Sequence, residues 1–240
     1  MRTIVGILLL CLTGCATHQT AGQHQPSTTT ELTLERGVAN LSARKTKAAI
    51  KDFDQVIALC ESQYRSSEQR TYASRGLNET IYYMAKAAAD EEPAIAVGPT
   101  CSDALYLRGY ASLDFGQIEL AQDYIQRAID MAPVNSMYLS EMGHIYQSKR
   151  DWDNALVMFT QAEAAATYSP DDVKVLELTR AKRGVGYSLI ELGNLDEAEA
   201  KFRECLEINA DDQGAITELK YIEHIRTNGS DTGSQEDDFI

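Results

Sequence analysis

Positive charge is scarce in this sequence: 22 Lys and Arg stand against 36 Asp and Glu in 240 residues, a formal charge of −14. Bulk charge of that sign disfavours phosphate backbones and anionic lipid heads, so no nucleic-acid partner is expected. Glycine (15) and proline (5) are too few for a low-complexity chain, and 44% hydrophobic residues exclude wholesale disorder. The motifs of catalysis are missing as well. There is no GxSxG, CxxC, HExxH, EF-hand loop or phosphate-binding glycine loop. Gly184-Val185-Gly186 reads as a helical packing pair rather than a nucleotide fingerprint. The carboxylate runs at Glu91-Glu92, Asp171-Asp172, Asp211-Asp212 and Glu236-Asp237-Asp238 suit helix capping and solvation better than acid–base work. The expectation is a protein that is not an enzyme and that needs no cofactor and no metal. His18 and His24 lack neighbouring ligands, which makes them weak metal candidates.

What is present begins at the N-terminus. Arg2 precedes an apolar run from Ile4 to Leu12, broken only by Gly6 and too short to span a bilayer. The run ends in Leu12-Thr13-Gly14-Cys15, which resembles the lipobox of bacterial lipoproteins. That resemblance implies a signal peptide over residues 1–14 and a lipid-modified Cys15 as the first mature residue. Ala16, where inner-membrane lipoproteins carry Asp, implies attachment to the bacterial outer membrane, facing the periplasm. An uncleaved hydrophobic N-terminus and a secreted soluble protein are the alternatives. Residues 15–29 are polar and read as a tether with a reach of about 20 Å.

Internal repetition then dominates. Residues 102–135 and 136–169 are consecutive blocks of one length, and Gly109 and Gly143, Ala121 and Ala155, Ala128 and Ala162 recur in register. Both blocks show helical periodicity with a central break. Leu105, Gly109, Gly116, Ala121, Ala128 and Pro133 match the pattern of the tetratricopeptide repeat (TPR), which the chain resembles over residues 30–226. A third clear unit, 179–212, carries Gly186, Gly193, Ala198, Phe202 and Cys205, and its first helix is expected to start early, from Asp171 to about Ile190. That extension is either tolerated length or a docking knob. Residues 30–62 (Gly37, Ala49, Phe53, Val56) and 63–101 read as degenerate units. In the latter, Thr80 to Glu91 is helical and Pro93 stands where a second helix should continue. A capping helix over about 211–226 shields the end, and an acidic disordered tail follows at 227–240. The resemblance implies an all-α, right-handed solenoid of about five helix pairs plus the C-terminal capping helix.

It also implies a concave wall built from the first helix of each pair. Projecting the register places Tyr106, Tyr110 and Leu113, then Ser140, His144 and Gln147, then Arg180, Arg183, Tyr187 and Ile190 on that wall, with Arg70, Ala73 and Leu77 from the second unit. Tyr106, Tyr110, His144, Arg180, Arg183 and Tyr187 form the candidate peptide groove, in which aromatic contact and arginine–carboxylate pairing would hold a partner. Packing between layers is the alternative role for each tyrosine, and for His144. The Lys–Asn carboxylate clamp of chaperone-binding members is absent from these positions. Cys60 ends a second helix and Cys101 precedes a first helix one layer on, so a disulfide between them needs only Cα atoms within about 7 Å; two free thiols are the alternative. Cys205 takes the place of Ala128 and Ala162 and is expected to be a buried free thiol.

The function expected from these resemblances is a lipid-anchored, periplasm-facing adaptor that binds a protein or peptide partner for envelope complex assembly. It would act as pilotin-type lipoproteins do for secretins, or as those that gather cell-wall enzymes. A peptidoglycan-binding or glycan-cleaving cell-wall protein and a self-associating structural solenoid are the alternatives, and the sequence leaves the oligomeric state open.

Overall fold

The computed structural model describes residues 28–64 and 67–228. The signal-like run, Cys15 and the acidic tail from residue 229 lie outside the described residues. The helix pairs are α1 (Thr29–Ser42) with α2 (Thr46–Tyr64), α4 (Thr100–Leu113) with α5 (Ile118–Met131), α6 (Ser136–Ser148) with α7 (Trp152–Ala165), and α8 (Asp171–Glu191) with α9 (Leu195–Ile208). A last helix, α10 (Gln213–Asn228), closes the array, and Asp212 caps it by accepting the Ala215 N–H at 3.1 Å. The all-α solenoid is borne out.

Each pair turns on one residue in the left-handed region: Arg44 (φ 56°), Gly116 (66°), Arg150 (56°) and Gly193 (81°). The two arginines meet the same backbone demand that glycine meets without a Cβ penalty. Close approach of the helices explains the helical glycines. The Phe159 ring is fully buried between Gly143 of α6 and Gly184 of α8, where an added Cβ would stand 2.7 Å and 2.2 Å from it. Hydrophobic periodicity builds the rest of the core from small and aromatic residues in alternation: Ala121, Ala128, Ala155 and Ala162 with Phe53, Phe159 and Phe202 are all fully buried. Cys205, a free thiol in this core, has its pKa pushed up to about 11 by burial.

Residues 63–101 depart from the expected helix pair. They form a strand β1 (Arg70–Ala73), helix α3 (Leu77–Ala89) and a strand β2 (Ala94–Val97). The strands pair in parallel, with Arg70 opposite Ala94 and Ala73 opposite Val97. Pro93 prevents α3 from continuing, and the short Ala-Ile-Ala-Val run between Pro93 and Gly98-Pro99 suits a strand. Among the described residues the solenoid therefore has four helix pairs, with this β-α-β unit in the place of a fifth. Arg70 and Ala73 sit in β1, and Leu77, at the start of α3, is exposed, so none of these three belongs to a solenoid first helix.

The unit packs on the edge where second helices end and first helices begin. Tyr72 stacks on Tyr83 with ring centroids 4.9 Å apart, and the pair joins Val134, Leu139, Ala162, Ala165 and Ala181 in one core. Arg75 binds Glu79 (2.7 Å) and Glu177 of α8 (2.5 Å), and Ser169 donates to Glu177 at 2.5 Å. The early start of α8 thus supplies the carboxylate that holds the unit. At its foot Cys60 and Cys101 form a disulfide with Cα atoms 5.9 Å apart.

Candidate peptide-binding groove

The repeat spacing stacks α4, α6, α8 and α10 as neighbours, and their facing residues form two linked clusters. In the first, Tyr106 stacks on the buried Tyr138 at 5.0 Å, and Tyr110 lies beside it at 6.4 Å, 43% exposed. Burial, and then the neighbouring Glu141, raise the Tyr106 hydroxyl's pKa, so it stays protonated. Glu141 is itself buried and pairs with Arg180 at 2.7 Å. Arg180 also donates through Nε to His144 Nε2 at 3.4 Å, while His144 Nδ1 meets Gln147 Oε1 at 3.1 Å. That pattern fits a neutral ring with its proton on Nδ1. Burial, then the Arg180 charge, push the His144 pKa down and favour the neutral form.

The second cluster borders a cavity of about 570 Å³ lined by His144, Trp152, Arg183, Tyr187 and Glu218, with Phe202 at its base. Trp152 meets Tyr187 edge to face at 6.1 Å. Arg183 is ion-paired with the buried Asp212, which also caps α10. Gly214 leaves room for the Arg183 stem, since a Cβ there would come within 2.8 Å of Arg183 Cδ. Glu218 sits on α10 with its pKa raised by burial and then by Glu191.

The structure therefore brings His144, Arg183 and Tyr187 to one cavity, links His144 to Arg180, and places Tyr106 and Tyr110 together further along the wall. One expectation changes. Arg180 and Arg183 are not free to take a partner's carboxylates, because Glu141 and Asp212 already neutralise them. Glu141, Trp152, Asp212 and Glu218 belong to the site although sequence reasoning did not select them. Trp152 carried a signal: Ile118, Trp152 and Leu195 each start a second helix, and Trp152 is the outsized member. A further cavity of about 490 Å³ lies over the Cys60–Cys101 bridge, between α2, β1 and α5. Among the described residues there is no cluster of side chains suited to a metal ion, and no helix is long and apolar enough to cross a membrane.

Two family models, both described as tetratricopeptide repeat, match the chain, one at residues 102–135 and 184–212 and the other at 139–174. The curated proteins contain no match. Among solved structures, Pseudomonas aeruginosa pilF is similar with a TM-score of 0.57 at 12% identity, covering 82% of this chain and 68% of its own. A double mutant of MamA from RS-1 is similar at 0.54 and 12% identity, covering 83% and 86%. A MamA crystal structure is similar at 0.50 and 18% identity, covering 76% and 79%. At such identities the likeness speaks for the fold. The chain is an all-α solenoid built on tetratricopeptide repeats, the architecture of a protein-interaction scaffold.

Proposed function

We propose that the protein is a non-enzymatic adaptor, anchored by a lipid on Cys15 to the bacterial outer membrane, that holds a protein or peptide partner at the periplasmic face during envelope complex assembly. The observation that carries the binding role is the aromatic-edged cavity on the wall formed by α6, α8 and α10. The address is supported by Leu12-Thr13-Gly14-Cys15, and the Cys60–Cys101 disulfide suits an oxidising compartment. Assistance to a secretin-like ring and recruitment of cell-wall enzymes are the two roles this reading covers. A glycan-cleaving role calls for two carboxylates facing one cleft. Glu218 lines the cavity and Glu191 does not, which favours binding over hydrolysis.

Photocrosslinking in intact cells tests the reading. A photoreactive residue at Tyr110 or Tyr187 should capture one and the same partner, identified by mass spectrometry, whereas Val157 on the outer face of α7 should not. Capture from Val157 alone would move the site off the groove. Cys15→Ala should release the protein from membranes, and retention would overturn the anchor.

A further inference from the structure

The groove's charges are settled except at one place. Arg180 is neutralised by Glu141 and Arg183 by Asp212, so the guanidinium groups shape the wall without lending it net charge. Glu218 makes no ion pair or hydrogen bond among the described residues. Only burial and the neighbouring Glu191 act on its carboxyl, both in the direction that disfavours its charge. Arg183 lines the same cavity but is held by Asp212, and Arg150 is not among the lining residues, although its charge is felt at Tyr187. A partly buried carboxylate without a counter-ion is costly to hold, and a cation supplied by a ligand removes that cost.

The walls around Glu218 suit such a cation. Trp152 and Tyr187 border the same cavity, and aromatic rings attract Arg and Lys within about 6 Å of the ring centre. At about 570 Å³ the space exceeds one side chain and admits its apolar neighbours as well.

We propose that this cavity seats an arginine or lysine side chain of the partner, its cation against Trp152 and Tyr187 and paired with the Glu218 carboxylate. The assignment rests on the groove reading above and gives it a partner chemistry: a basic peptide segment flanked by apolar residues. The strongly acidic surface supports the match by drawing cationic segments in.

Trp152 is the only tryptophan of the chain, so its emission reports directly on the cavity. The probes are acetylated octapeptides, Leu-Ser-Leu-X-Leu-Ser-Leu-Ser with X as Arg, citrulline or Glu, and a soluble murein disaccharide-peptide, titrated into the full chain in detergent. The Arg peptide should bind at least tenfold tighter than the citrulline peptide, which keeps the shape but not the charge, and the advantage should shrink with added salt. Glu218→Gln should bring the two affinities within about twofold while circular dichroism shows unchanged helical content. Equal affinities in the parent chain, an advantage that survives Glu218→Gln, or tighter binding of the Glu peptide or the murein fragment would each overturn the proposal. Equal Arg and citrulline binding that is lost in Tyr187→Ala would leave the groove reading standing. Absence of any peptide binding, with crosslinks only from Val157, would overturn both.

Discussion

Reduction of the Cys60–Cys101 bridge should destabilise the protein in a way that its geometry specifies. The cysteines are 41 positions apart, and the loop they close contains the whole β-α-β unit. The loop-entropy relation for a closure of that size gives about 4 kcal/mol. For a domain of this length each kcal/mol moves the melting temperature by about 2–4 °C, so the fall on reduction should be about 8–16 °C. The loss should not spread evenly. Contacts in a solenoid join neighbours, and α2 still packs on α4 through Val56, Ile57, Ala104 and Leu105 without the bridge. The amides of β1, α3 and β2 should therefore lose hydrogen-exchange protection first, while α6 to α9 keep theirs. The assay is a thermal melt with and without reductant, repeated on the Cys60→Ser, Cys101→Ser double variant, with exchange measured by mass spectrometry. Cys205 is an internal control, because its buried thiol should resist alkylation until the fold opens. Oxidised and reduced proteins melting within 2 °C of each other would refute the argument, and would mean that side-chain packing alone already holds the two segments together.

Gly184→Ala should cost about 1–3 kcal/mol by overpacking, since its Cβ would enter the Phe159 ring, whereas Gly98→Ala, with open space around it, should be near neutral in the same urea titration. Arg75→Met leaves the buried Glu79 and Glu177 without their common cation and should cost about 3–5 kcal/mol, read from the same titration. Glu218 has its folded pKa raised above the unfolded 4.5, so it weighs against the fold above the raised value and ceases to do so as pH falls below 4.5. Glu218→Gln should accordingly melt higher than the parent at pH 7.5 and no higher at pH 4, with a higher parent value at pH 7.5 as the contrary result.

How legible these features were in the sequence depends on how local their causes are. The paired helices could be read because Gly109 and Gly143, with the alanines that follow them, mark close helix crossings that recur every 34 residues. The same period carries the groove face along the chain, which is why Tyr106, His144 and Tyr187 could be placed. The ion pairs of that face follow no period. Glu141 meets Arg180 from the neighbouring first helix, and Asp212 meets Arg183 from a loop, so neither partner is fixed by spacing along one element. The β-α-β unit failed for the same reason: β1 and β2 are four residues each and pair across the whole of α3.

Two irregularities that look separate in the sequence explain each other in three dimensions. Gly143 and Gly186 are 43 positions apart where the clear repeats have 34, and 63–101 breaks the helical pattern altogether. The added length lies at the start of α8 and carries Glu177 to Arg75, between β1 and α3 of the inserted unit, while Ser169 and Glu79 complete the buried network. An inserted unit without the α8 extension would bury Arg75 and Glu79 with one partner fewer. An extension without the unit would leave Glu177 facing solvent and no cation. If the two form one device, deleting the extra α8 turns should release β1–α3–β2 from the solenoid edge and yet leave α4–α7 folded. Deuterium uptake confined to 70–97 would show that, and uptake spreading through α4–α7 would show instead that the extension supports the stack itself.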